Sequence, residues 1–314
     1  MPLAHGPGRR CREGTPSQKT SAAGKPEPLA EGGFVSHRSM LVVALAATAC
    51  FFMVPPAGAA VPKRIISLSP TATESLFAIG AGAQVVAVDD QSDYPKRAPK
   101  TDLSGYTPNV EAIAGYRPDL VVLAGDANDV VAGLRRLGIR VLLQPAVKNL
   151  PGAYAQIRQL GALTGHKRKA AAVVAGMKRA IARAVAATPK RRLSVYHELT
   201  PDFYSATSQT FIGRIYTLFG LRNIADAADS TRSGYPQLSG EYILSSNPSL
   251  IVLADTRCCG QSAAAVRSRP GWSGIAAVRT GSVVAVDDSI ASRWGPRIVQ
   301  FVRAVGKTLT RRGR

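Results

Sequence analysis

The sequence predicts an α/β fold made of two similar lobes, and three observations predict it. Short apolar runs alternate with helical segments along the chain, the pattern of parallel sheets with helices on both faces. One stretch occurs twice, at residues 106–124 and 235–254. Each copy reads as a loop tyrosine, a glutamate opening a short helix, a proline turn and a buried apolar strand. Glu111 to Glu241 and Pro118 to Pro248 are both 130 positions apart, too long for a solenoid period and suited to a duplicated lobe. Between the copies lies a helical stretch, 150–187, that fits a connector.

Length and composition bound the answer. The 314 residues suffice for two domains. At 46% hydrophobic and 19% charged the chain is globular. The net charge is +20; residues 1–60 hold six Lys/Arg against three acids, which leaves +17 for the rest. A body this basic points to nucleic acid or to an anionic membrane or envelope. The sequence has no nucleic-acid motif, which favours the second; a basic surface serving solubility accounts for it equally well.

In chain order, residues 1–36 are rich in Gly, Pro, Ser and basic residues without apolar periodicity, and are expected to be disordered, with the natural start near Val35 or Met40. Residues 37–60 have the parts of a secretory signal: His37 and Arg38, an apolar run from Met40 to Val54, and Ala57-Gly58-Ala59 for cleavage. Lipidation at Cys50 and retention as an uncleaved anchor are the alternatives. Residues 61–148 form the first lobe, 149–189 the helical connector and 190–314 the second lobe. Strands are expected at 64–69, 84–88, 140–143, 192–197 and 281–286, besides those in the repeats. Helices are expected after Pro70, at 130–137, 166–188 and 210–219, and at 297–310; residues 287–296 read as a loop. Thr71-x-x-Glu74 fits a capping box.

Enzyme signatures fail one by one. Gly80-Ala81-Gly82 lacks a third glycine and follows a helix, so it is no dinucleotide fingerprint. There is no phosphate-binding loop and no nucleophile elbow. His166 and His197 are too few for a histidine metal site, and both read as structural. No C-x-x-C pair exists; Cys258 and Cys259 are adjacent, which leaves a vicinal disulfide, free thiols or an intermolecular bond open. What the loops offer is aromatic surface. Tyr94, Tyr106, Phe203, Tyr204, Tyr235 and Trp294 all fall in connections at the carboxyl ends of expected strands, where open α/β sheets bind ligands. Glu111 and Glu241 suit helix N-termini electrostatically; one acid per lobe also suits docking onto basic residues of a partner.

The stretch from Arg64 to about Thr310 resembles the class III solute-binding proteins of ABC importers, which take up cobalamin, haem and ferric siderophores. The marks are residues 66–74 with Thr73-Glu74, Ser92-Asp93-Tyr94-Pro95, Glu111 with Arg117-Pro118-Asp119, Tyr235-Pro236-Gln237 with Glu241, and Arg293 with Pro296-Arg297. The resemblance implies two Rossmann-like lobes with mainly parallel sheets, joined by a long rigid α-helix. It implies cargo held between lobe edges by Tyr94, Tyr106, Phe203 and Tyr235, with Arg293 in the cleft. The likeness is nearest to cobalamin-binding members, which makes a cobalamin-type corrinoid or another bulky iron or cobalt chelate the expected cargo. Tyr106 and Tyr235 stand where those members carry tryptophans; a tyrosine suits haem iron and Arg293 suits an anionic chelate, so haem and a ferric siderophore are the alternatives. Glu111 and Glu241 match acids that meet arginines of the permease. The expected partners are that permease, its ATPase and a metal chelate, without nucleic acid, resident cofactor or bound metal. The protein is expected to be an exported monomer, with a membrane tether as an option. A hydrolase using a serine or His197, and an envelope adhesion module, are the competing classes.

Overall fold

The computed structural model describes residues 60–311; the expected signal segment, Cys11 and Cys50 lie outside them. The first lobe contains β1 (Ile65–Leu68), α1 (Pro70–Ala78), β2 (Val85–Val88), α2 (Val110–Gly115), β3 (Leu120–Leu123), α3 (Val130–Arg136) and β4 (Arg140–Leu143). Two helices follow, α4 (Leu150–Leu163) and the 20-residue α5 (Lys167–Ala186). The second lobe contains β5 (Ser194–Glu198), α6 (Phe211–Thr217), β6 (Arg222–Asn223), α7 (Gly240–Ser246) and β7 (Leu250–Leu253). Four short helices come next: α8 (Thr256–Cys259), α9 (Ala263–Ser268), α10 (Ala276–Arg279) and, after β8 (Val283–Ala285), α11 (Asp288–Ser292). The closing helix is α12 (Ile298–Arg311).

Both sheets are parallel and share one topology: β2-β1-β3-β4 in the first and β6-β5-β7-β8 in the second. The duplication extends to register. Ile65 pairs with Leu120, and Val195 pairs with Leu250, so both members of the pair are displaced by the same 130 positions seen in sequence. Caps repeat too. Asn109 accepts from the Ala112 N–H, and Ser239 accepts from the Tyr242 N–H, each satisfying an orphan donor of its helix. The residues before the repeat prolines, Arg117 and Asn247, both take left-handed backbone, φ 50° and 41°.

Strand alternation sorts the buried side chains. Ile65, Leu120, Val122, Val195, Leu250 and Val252 face one core that also takes Leu160 of α4, Val174 and Met177 of α5, and Phe301 and Val305 of α12. Ile66, Val121 and Leu123 face a second core on the outer side of the first lobe; Tyr196, Ile251 and Leu253 face the third, on the second lobe. The connector helices are thus welded into both lobes. Each fully buried aliphatic or Phe side chain contributes about 1.5–3 kcal/mol, so α12, which buries Ile298, Phe301, Val302, Val305 and Leu309, is a principal brace of the second lobe.

Two expectations need correcting. The cap of α1 is Ser69, whose side chain accepts from the Ala72 N–H, with Pro70 in the first turn. Glu74 is therefore two residues past the position that could reach back, and its carboxylate goes elsewhere. Residues 287–296, read as loop, contain α11, nucleated by Asp287 accepting from the Ser289 N–H.

Candidate functional site

The carboxyl ends of the two sheets meet in a crevice. Its first part, about 420 Å³, is lined by Ser69, Pro70, Thr71, Gln91, Tyr106 and Ala124 of the first lobe and by Asp288, Ser289, Ser292, Arg293 and Trp294 of the second. A contiguous part of about 540 Å³ adds Asp93, Lys100, Arg257 and Cys258.

Tyr106 is set by a close backbone approach. A Cβ on Gly105 would stand 2.9 Å from both the Leu68 carbonyl oxygen and Asp89 Oδ2, a gap only glycine leaves. The Ser104 hydroxyl then accepts the Tyr106 and Thr107 N–H groups. Tyr106 is left 79% exposed at the crevice wall. The second lobe repeats the device: Ser104-Gly105-Tyr106 returns as Ser233-Gly234-Tyr235, and Ser233 Oγ accepts the Tyr235 N–H at 3.0 Å. Burial places Asp89 beneath this loop and pushes its carboxyl up to about 6.

Charge stitches the lobes together. Glu74, its side chain 1% exposed, accepts from Arg293 Nη1 at 3.0 Å and from Arg297 Nε at 3.0 Å and Nη2 at 2.5 Å. Arg293 also donates to Asp93 at 2.8 Å and to the Gln91 carbonyl at 2.9 Å. Arg257 reaches Asp93 at 3.3 Å and Asp287 at 3.2 Å. Asp93, against desolvation, is held below the usual carboxylate range by the Arg293 hydrogen bond and charge. Asp288 accepts the N–H groups of Thr256, Arg257 and Cys258, which fixes α8 and so aims Arg257 across the crevice. Cys258 and Cys259 form a vicinal disulfide, with Cys258 on the crevice wall.

The expected ligand residues separate into three groups. Tyr106, Arg293 and Trp294 share the crevice; the Trp294 Nε1–H is anchored to Gln156 Oε1 at 2.7 Å. Tyr94 lines a flanking cavity of about 350 Å³ instead, its ring held 4.2 Å under the Arg297 guanidinium. Phe203, Tyr204 and Tyr235 lie on two antiparallel segments of the second lobe, joined by a Tyr204–Gln237 bridge and by Ser205 N–H to Pro236 O. Phe203 stacks on Trp272, 5.6 Å between centroids, with the Arg269 guanidinium over both rings. Tyr204 and Tyr235 keep their rings 42% and 48% exposed. Tyr94 and Tyr235 are thus absent from the crevice wall that Tyr106 lines. Glu111 and Glu241 are both exposed in the first turns of α2 and α7, one per lobe.

A family model for periplasmic binding proteins matches residues 65–290. The chain belongs to the periplasmic binding protein family. This binding protein is 33% identical over 259 residues to the uncharacterized ABC transporter substrate-binding lipoprotein YvrC of Bacillus subtilis, covering 79% of this chain and 80% of that one. It is 36% identical over 249 residues to a cobalamin-binding protein of Halobacterium salinarum, covering 76% of this chain and 67% of that one. Among solved structures, the periplasmic vitamin B12 binding protein BtuF of Vibrio cholerae superposes with a TM-score of 0.67 at 26% identity, covering 81% of this chain and 98% of that one. Membership implies an ABC permease with its ATPase as partner and an extracytoplasmic location.

The second lobe of the binding protein holds a buried polar cluster of its own. His197 is fully buried, its Nδ1 2.5 Å from the Tyr216 hydroxyl and its ring against Phe301; desolvation lowers its pKa to about 3, so it stays neutral and structural. Glu198 takes a bidentate pair from Arg269, both contacts 2.6 Å. Asp255 is buried beside Glu198. Burial, then the Glu198 charge, raises its carboxyl to about 7. One arginine offsets one of the two carboxylates, and protonation of Asp255 balances the other. A charged residue closing the apolar strand Val195-Tyr196-His197-Glu198 was the sequence signal for a buried partner.

Proposed function

We propose that this binding protein captures cobalamin, or a corrinoid close to it, between its lobes and hands it to an ABC permease without turnover. The observation that carries the reading is the cobalamin-binding relative at 36% identity over 249 residues. The crevice supports it with a free phenol ring at Tyr106, the indole of Trp294 and hydroxyls of Ser69, Ser289 and Ser292, an amphipathic lining suited to a large ligand. In this reading Tyr106, Arg293 and Trp294 line the crevice that takes cargo; Tyr94 in the flanking cavity and the exposed Tyr204 and Tyr235 meet only cargo that extends past it, and Phe203 braces the segment that carries Tyr204. Glu111 and Glu241 dock on the permease from lobes 61–148 and 190–314. The protein acts as an exported monomer with no resident cofactor. Haem is the second reading, favoured by the exposed Tyr106, whose oxygen suits iron.

The test is equilibrium titration of the purified full chain with cyanocobalamin, haemin and a ferric hydroxamate siderophore. Saturable one-to-one binding of cyanocobalamin alone is the expected result. Haemin binding alone moves the assignment to haem; hydrolysis of an ester panel with no chelate bound ends both readings. Exchanging Glu111 and Glu241 for Arg should leave cargo affinity unchanged and abolish uptake.

A further inference from the structure

A groove runs between the last turns of α5 and the second half of α12, reaching the Tyr94 cavity at Arg303. Ala184, Ala187 and Gly306 floor it, and Arg303, Lys307 and Arg311 rim it from successive turns of α12; no acidic residue lines it. Gly306 fixes where it lies: a Cβ there would meet Thr188 Oγ1 at 2.9 Å and the Phe219 ring at 3.4 Å. Those residues lead into β5 and β6, so the groove sits at the amino ends of the strands, whereas the crevice sits at their carboxyl ends. The exposed Arg183, Lys190, Arg192 and Arg222 lie on the adjoining turn of α5 and at those strand starts. All six ion pairs among the described residues are made at the crevice end or beside Glu198, by Arg257, Arg269, Arg293 and Arg297.

We infer that this basic groove is a docking surface for an anionic phospholipid bilayer, separate from cargo and permease sites. Charge complementarity favours that occupant. Three cations spaced along one helix over a small-residue floor present a flat set of point charges to lipid phosphates. The groove lining holds no aromatic on which a base could stack, so it lacks the platform of single-strand binders. Because the groove and the crevice occupy opposite ends of the strands, a protein held on lipid by the groove keeps its crevice open to arriving cargo.

The experiment is co-sedimentation of the full chain with phosphatidylcholine vesicles and with 3:1 phosphatidylcholine:phosphatidylglycerol vesicles, at about 0.1 M and 0.5 M NaCl. The Debye length shortens from about 10 Å towards 4 Å over that range. A basic residue near such a surface contributes about fivefold in partitioning. Arg303 also lines the Tyr94 cavity and is left in place. The double variant Lys307→Gln, Arg311→Gln should therefore lose about twenty-five-fold on anionic vesicles, with an unchanged thermal midpoint and cargo titration. Lys96→Gln with Lys100→Gln, exposed at the crevice end, should retain vesicle binding. Equal binding to both vesicle types, or the same affinity in the folded double variant, overturns the inference. So does a duplex oligonucleotide that binds as tightly and with the same dependence on these two residues.

Discussion

Glu74→Gln should be among the most damaging near-isosteric changes in the chain. The carboxylate is 1% exposed and accepts three hydrogen bonds from two arginines whose side chains are 14% exposed. Removing its charge leaves the mostly buried Arg297 guanidinium without an acid in contact, while Arg293 keeps Asp93. Breaking a buried pair from one side costs about 3–5 kcal/mol, and the retained Asp93 contact places the expectation at about 3 kcal/mol. For a chain of this size that is about 6–12 °C in Tm. The comparison is Asp93→Asn, on a carboxylate 33% exposed, where screening limits the loss to about 1 kcal/mol. Urea unfolding and calorimetry of the two variants decide it. A loss below about 1 kcal/mol in Glu74→Gln, or one no larger than in Asp93→Asn, refutes the view that Glu74 is the centre of the inter-lobe latch.

Other outcomes follow from the same geometry. His197 has a folded pKa of about 3 against 6.5 unfolded, so the unfolded chain binds the extra proton. Stability is full above about pH 6.5 and falls by about 1.4 kcal/mol per unit below it; the pH 4–6.5 slope of unfolding free energy should flatten by that amount in His197→Gln. Asp255 has the opposite sign. Its folded pKa is about 7 against 3.8, so the folded state holds the proton and stability falls as pH rises from about 4 to 7. Asp255→Asn should therefore stabilise at pH 8 and change little at pH 4, measured by denaturant titration. Peptide mapping should find residues 258 and 259 resistant to iodoacetamide until a reductant is added, then doubly alkylated. Gly105→Ala should weaken cargo binding at least tenfold with little loss of secondary structure, since the added Cβ must displace the loop carrying Tyr106; unchanged affinity would show that the loop has room.

Much of the fold was legible because it is written in periodicity. The apolar runs at 65–68, 120–123 and 250–253 became strands, and the doubled Glu–Pro spacing reappeared as doubled strand register. What escaped was long-range charge. Thr71-x-x-Glu74 satisfies a local capping pattern, and nothing local says that Glu74 meets partners 219 and 223 positions later. The two-residue β6 and the helices α8 to α11 are too short to show a period. The loop aromatics were legible as exposed rings, but their grouping was not. Tyr94 is drawn under Arg297 and Phe203 onto Trp272, contacts made between segments far apart in sequence.

Titration of the purified protein with cyanocobalamin, followed by heat, tests the central claim most directly. A single saturable site is expected, weakened at least tenfold in Tyr106→Ala at an unchanged Tm. A folded protein that takes up no cyanocobalamin, or a Tyr106→Ala variant that binds it as tightly as the parent, contradicts the claim that this crevice carries a corrinoid.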